Sequence, residues 1–149
     1  MNTVLTPITP VDTCTCEAWH LTPGSHLAVA LDRHAVASPV RVRRGTFQID
    51  PTIGVGSLTI ELAVDGGGTL RAAATSAGRD DHGIAIWIVR GTLAMGGRTT
   101  QIVLRLRDHG VIRTTGTWWW LSGTGDEQRR ERRRPRHGSR LVADLILAP

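Results

Sequence analysis

Residues 57–65 read SLTIELAVD, and the alternation of large apolar side chains with polar or small ones decides the fold class. Leu58, Ile60 and Leu62 fall on one face, and the polar side chains between them fall on the other. Because successive side chains of a β-strand point to opposite faces of a sheet, this pattern predicts a strand with one buried face.

The same period of two recurs along most of the chain. Further alternating runs occupy residues 25–34, 46–50, 70–74, 83–91, 100–108 and 139–149. Turn-forming residues separate them at Pro51, Gly66–Gly68, Asp80–Gly83, Gly96–Gly97 and Asp108–Gly110. No window carries the 3.6-residue stripe of an amphipathic helix. About eight strands joined by short turns predict an all-β protein, with one antiparallel sheet closed into a barrel or folded into a sandwich. Strands with two partly apolar faces, such as residues 84–89, favour the barrel.

Three consecutive tryptophans, Trp118–Trp120, lie in the run VIRTTGTWWWLSG at residues 111–123. This run reads as the second strand of a hairpin whose tip is Asp108–Gly110. On a strand, Trp118 and Trp120 share one face and Trp119 takes the other. Since the face with two indoles is the more apolar, we expect Trp118 and Trp120 to line the interior.

Positive charge is concentrated in one segment. Residues 129–140 hold seven arginines and one acid, so that this segment alone accounts for the formal net charge of +5. A dense run of like charges with Pro135 and Gly138 predicts a solvated loop, within residues 123–140. The alternative is a surface for acidic partners or nucleic acid, because guanidinium groups suit phosphates. Its candidate residues are Arg129, Arg130, Arg132, Arg133, Arg134 and Arg136.

The remaining chemistry is sparse. Residues 1–17 form an N-terminal extension without the basic and apolar regions of a signal peptide, so we expect a cytoplasmic protein. Cys14 and Cys16 are too close for an unstrained disulfide, and we expect free thiols. Asp80–Gly83 is interpreted as a turn rather than an acid–base cluster. We expect no metal, no cofactor and no catalytic residues.

Three segments carry a family resemblance. The sequences AWHLTPGSHLAVALDRH (18–34), VRRGTFQID (42–50) and VRGTLAMGGRTTQIVLRL (89–106) resemble elements of the YceI-like family. The resemblance implies a lipocalin-like antiparallel β-barrel, often dimeric, whose elongated cavity takes polyisoprenoid or other long amphiphilic lipids. This chain departs from the family pattern at Pro23–His26. It departs again at residues 78–83, where the family's longer middle section is nearly absent.

The leading hypothesis is a single barrel domain, residues 18–149, that binds a long apolar or amphiphilic molecule without catalysis. The candidate lining residues are Leu27, Val29, Leu31, Phe47, Leu58, Ile60, Leu62, Ile86, Leu104, Trp118 and Trp120. Two alternatives stay open besides binding through the arginine-rich loop. The same residues fill a closed core without a cavity, or an active site lies at the mouth of the barrel.

Overall fold

The computed structural model describes residues 16–30, 38–128 and 140–149, which form an all-β fold as predicted. The strands are β1 (Glu17–Leu21), β2 (His26–Ala30), β3 (Ser38–Asp50), β4 (Val55–Leu62), β5 (Gly68–Arg79), β6 (Ala85–Met95), β7 (Arg98–Ile112), β8 (Trp118–Glu127) and β9 (Arg140–Ala148). The described residues include no helix long and apolar enough to cross a membrane.

The sheet closes on itself as a barrel in which every strand pairing is antiparallel. Strands β3 to β9 follow one another around the barrel in chain order, and β2 joins β9 back to β3. Strand β1 also lies between β3 and β9. Strands β1 and β2 therefore share one position in the barrel, one continuing where the other ends. The nine strands thus occupy eight positions around the barrel. Closure removes the unpaired edges that an open sheet would expose.

The interior is filled by one contiguous apolar cluster. Leu58, Ile60 and Leu62 of β4 all point into it and are buried, as their alternation predicts. Phe47 lies opposite Leu58 on the neighbouring strand, also fully buried. Side chains from every strand join this cluster, so that the two halves of the barrel are held together by shared burial of apolar surface.

Four aromatic side chains pack at one end of the interior. The ring of Phe47 stacks on Trp119 with centroids 5.4 Å apart, and it meets Trp87 edge-on at the same distance. Trp19 packs edge-on against Trp119 at 5.3 Å. These offset and edge-to-face arrangements are the favoured geometries for aromatic pairs. The interior is thus closed at this end by large, rigid rings.

The hairpin between β7 and β8 differs from the prediction. The predicted tip, Asp108–Gly110, lies inside β7, which continues to Ile112, and the turn lies at residues 113–117. One extra residue of β7 is accommodated between the pairs Asp108–Leu121 and Val111–Trp119. Gly110 has a φ of 88°, and its N–H donates to Asp108 Oδ1, so that the turn-like residues form a β-bulge.

Cys16 also differs from the prediction. It is disulfide-bonded, so the expectation of two free thiols is wrong. Cys14 lies outside the described residues.

Candidate functional site

An open groove lies on the outer surface of the barrel, beside the break between β1 and β2. Its volume is about 580 Å³. Its walls are almost entirely apolar and include two indole rings. The lining residues are Thr22, Pro23, Gly24, Ile112, Trp118, Trp120 and Ile146.

The break between β1 and β2 supplies one wall of the groove. Residues 22–25 leave the sheet there, while β9 continues alongside without interruption. The buried hydroxyl of Ser25 replaces the missing strand pairing, since it accepts from the N–H of Ile146 at 3.0 Å and donates to its carbonyl at 3.1 Å. The N–H of Thr22 donates to the same carbonyl at 2.9 Å. Ser25 therefore fixes Thr22–Gly24 beside Ile146.

The opposite wall comes from the outer face of β8. Trp118 and Trp120 are 38% and 39% exposed, whereas Trp119 between them is 4% exposed. Trp120 is held in place because its indole N–H donates to Asp144 Oδ1 at 2.5 Å. The ring of His109 stacks on Trp120 with centroids 3.8 Å apart. A ring fixed in this way loses little conformational entropy when a ligand packs on it.

The prediction that Trp118 and Trp120 line the interior is therefore wrong. Trp119 points inward in phase with Leu121, and both join the interior cluster. Two indoles made the opposite face the more apolar one, but it is the single ring of Trp119 that completes the interior aromatic cluster with Trp19, Phe47 and Trp87. Leu121 lies two positions after Trp119 and therefore on the same face of β8. This apolar residue was the signal in the sequence that could have identified the inward face.

On β6, too, the face that points into the interior is not the predicted one. Trp87 and Val89 join the interior cluster, whereas Ile86, the predicted lining residue, is buried but lies outside that cluster. Trp87 is in phase with Val89 and Leu93, and this set extends the inward pattern through the length of the strand. The run Ile84, Ile86, Ile88 concealed this pattern because both faces of β6 are apolar.

The other predicted interior residues lie in the barrel core. They are buried within the same cluster: Leu27, Val29, Phe47, Leu58, Ile60, Leu62 and Leu104. Leu31 lies outside the described residues, as do Arg129, Arg130, Arg132, Arg133, Arg134 and Arg136. Three pockets formed by the described residues open at the surface or at the ends of strands, and none of these three is lined by Leu58, Ile60 or Leu104.

A histidine and a serine lie next to the groove. His109 Nε2 and Ser122 Oγ are 2.6 Å apart, a distance at which a base can activate a nucleophile. Catalytic triads add an acid that orients the second ring nitrogen of the histidine. Asp144 is the cross-strand neighbour of Ser122, but its carboxylate accepts from Trp120. We therefore assign the His109–Ser122 bond to holding the imidazole against Trp120.

Asp80 forms the turn that the sequence predicts. Its Oδ1 accepts from the N–H groups of His82 and Ile84, both at 2.9 Å. Its Oδ2 accepts from Arg107 Nε at 3.1 Å. The hydrogen bond from the Ile84 N–H, together with the others, holds the pKa of Asp80 below its ordinary value. The carboxylate thus stabilises the β5–β6 turn, and the interpretation of this segment as a turn is confirmed.

Metal ligation finds no support in the described ranges, since no three His, Cys, Asp or Glu side chains are grouped there so as to hold an ion. No family model matches the chain, and no curated protein is similar enough to count as a relative. The closed antiparallel barrel is compatible with the lipocalin-like fold that the YceI resemblance implies.

Proposed function

We propose that this protein is a non-enzymatic binder of a long apolar or amphiphilic small molecule, and that the molecule lies in the groove against Trp118 and Trp120. The observation that carries the proposal is a groove of about 580 Å³ walled by two half-exposed indoles, Ile112 and Ile146. Small-molecule sites have volumes of about 300–1,000 Å³ and are lined mostly by apolar and aromatic side chains.

The composition of the walls favours an acyl or isoprenoid chain over a sugar. A sugar stacks on aromatic rings, but it also needs polar groups beside them to bond its hydroxyls. Here the indole N–H of Trp120 is already bonded to Asp144, and of the groove residues around the rings only Thr22 has a polar side chain, the others being Pro23, Gly24, Ile112 and Ile146. Removing apolar surface from water is therefore the main driving force that the groove offers, at about 25 cal/mol per Å².

A ligand inside the barrel, as the YceI resemblance implies, remains a prediction. The aromatic cluster of Phe47, Trp87 and Trp119 weighs against it, because these rings already occupy one end of the interior. Homodimerisation and a cytoplasmic location also remain predictions. The exposed apolar side chains Ile112, Trp118 and Trp120 make a second copy of the chain the competing occupant of the groove.

Native mass spectrometry tests the proposal directly. The purified protein is titrated with farnesol and with palmitate, and bound species and oligomers are read from the same spectra. We expect one ligand per chain. We expect Trp118→Ala to weaken binding about tenfold or more, because the change removes a large contact surface. Gly24→Leu should also block binding, since the added side chain starts 3.6 Å from Ile146 Cδ1, within the groove.

Ile53→Ala is the matched control, because Ile53 is also an exposed apolar residue but lies in the β3–β4 turn. This variant should bind like the wild type. Unchanged binding in both groove variants would move the site to the interior. A ligand-free dimer that dissociates in Trp118→Ala would assign the groove to a second copy, and the proposal would then be wrong.

A further inference from the structure

A second, smaller pocket lies at the end of the barrel where β1 begins and β8 begins. Its volume is about 220 Å³. It lies next to the aromatic cluster of the interior, since Trp19 and Trp119 belong to both. It shares no lining residue with the groove. The lining residues are Glu17, Trp19, Ile49, Asp108, Gly110, Val111 and Trp119.

The two indoles that line this pocket donate hydrogen bonds to carboxylates. The N–H of Trp19 donates to Glu17 Oε1 at 3.3 Å, and that of Trp119 donates to Asp108 Oδ1 at 2.7 Å. Both indole donors are therefore already used. The pocket offers a ligand aromatic and aliphatic surface together with negative charge, rather than free hydrogen-bond donors.

The carboxylates at the pocket form no ion pair with a described basic side chain. Ion pairs between described residues include those of Glu61 with Arg43 and Arg44 and that of Asp80 with Arg107. Neither Glu17 nor Asp108 takes part in one. A cationic group entering the pocket would thus gain Coulomb attraction without displacing an arginine.

The apolar walls select the kind of cation. Small metal ions require several oxygen ligands or retained water, and no three candidate ligands are grouped in the described residues. A methylated ammonium group is weakly hydrated, and aromatic side chains with nearby carboxylates recognise it through cation–π attraction. We propose that this pocket binds the trimethylammonium head of a choline-like compound. The volume suits a head group, since sites for whole drug-sized ligands begin near 300 Å³.

Indole N–H resonances in the ¹⁵N-labelled protein provide the test, because the five tryptophans give separately observable signals. The probes are choline and 3,3-dimethyl-1-butanol, which has the same shape without the charge, at constant ionic strength. We expect choline to shift the signals of Trp19 and Trp119 saturably and to leave that of Trp118 unchanged. The neutral alcohol should bind about tenfold more weakly or not at all.

Glu17→Gln removes one charge and keeps an oxygen that accepts from Trp19. We expect it to weaken choline binding about two- to fivefold. Asp65→Asn is the matched control, because it removes an exposed carboxylate in the β4–β5 turn, at the opposite end of the barrel. The proposal would be overturned by any of three results: equal shifts from choline and the alcohol, full affinity in Glu17→Gln, or no shift with choline. None of these outcomes depends on the groove.

Discussion

Asp108 connects three parts of the barrel through one carboxylate. Its Oδ1 accepts from the indole of Trp119 on β8 and from the N–H of Gly110 in the bulge. Its Oδ2 accepts from the indole of Trp87 on β6 at 3.2 Å. Because both indoles belong to the buried aromatic cluster, this carboxylate fixes the orientation of rings that close the interior.

Asp108→Ala should destabilise the protein by about 2–4 kcal/mol, because it leaves two indole donors and a backbone N–H without their acceptor. For a chain of this size, the melting temperature should fall by roughly 5–15 °C. Asp108→Asn should lie between the wild type and Ala, since a carboxamide has one accepting oxygen. Thermal unfolding followed by tryptophan fluorescence measures all three.

Asp65→Ala is the control for this series, because Asp65 is exposed in a turn far from the aromatic cluster. Its stability should stay within about 0.5 kcal/mol of the wild type. If Asp108→Ala melted with the control, the indole bonds would contribute little, and the rings would be held by packing alone.

Among the strands, the clearest predictions came from segments with one apolar face. Strand β4 is such a segment, and its inward residues were identified correctly from alternation alone. Strands β6 and β8 carry apolar side chains on both faces, so alternation could not choose between the faces. The bulge at Gly110 was also hidden, because the same Asp and Gly residues are typical of a hairpin tip.

The groove could not be predicted, because its wall depends on a contact between residues 121 positions apart. Ser25 and Ile146 meet only after β9 has closed the barrel beside the first two strands. The sequence TPGS at residues 22–25 contains residues that are common in turns, but it has no signal for the partner of the serine. The positions of Trp118 and Trp120 depend on which face of β8 turns inward.

Ser25→Ala should destabilise the junction of β1 and β2 by about 1–3 kcal/mol, since the N–H of Ile146 loses its acceptor in a buried position. Amide hydrogen exchange locates the effect. The exchange of Ile146 should accelerate more than that of Leu121, which lies in the interior of β8. Equal acceleration at both positions would indicate a global loss of stability instead of a local one.

Thr22→Ala provides the comparison at this junction, because Thr22 bonds the Ile146 carbonyl through its backbone N–H, which the substitution preserves. Its exchange pattern should match that of the wild type. A strong effect in Thr22→Ala would mean that side-chain packing in the turn, rather than the Ser25 hydroxyl, holds this wall of the groove.

At the scale of the whole molecule, β9 completes the barrel. Strand β9 pairs with β8 on one side and with β1 and β2 on the other, so closure joins the first and last described strands. Short turns and period-two runs predicted this architecture because a series of antiparallel strands in chain order needs only local connections. The sequence contained no comparable signal for whether the interior would be filled or hollow.

We expect that residues 129–139 are dispensable for the pairing of β8 with β9. Asp126 of β8 and Arg140 of β9 are cross-strand partners, so the two strands are already adjacent where the segment leaves them. A short Gly-Ser linker from Gln128 to Arg140 should therefore keep the melting temperature within a few degrees of the wild type, because loop closure depends only weakly on loop length. Farnesol binding in the groove should be unchanged.

The same deletion separates two of the functional hypotheses that the sequence leaves open, the binding of an apolar molecule and the binding of polyanions. Seven arginines and one acid in residues 129–140 predict binding to polyanions that weakens steeply as salt increases. Fluorescence anisotropy with a labelled single-stranded oligonucleotide, at about 50 and 200 mM salt, should show this dependence in the wild type and little binding in the deletion variant. The deletion removes six arginines and Glu131, a net charge of +5, so the control for total charge is a variant in which five exposed arginines elsewhere on the barrel are replaced with Gln: Arg41, Arg71, Arg90, Arg98 and Arg105. If that variant lost as much binding as the deletion, net charge rather than this segment would account for the affinity.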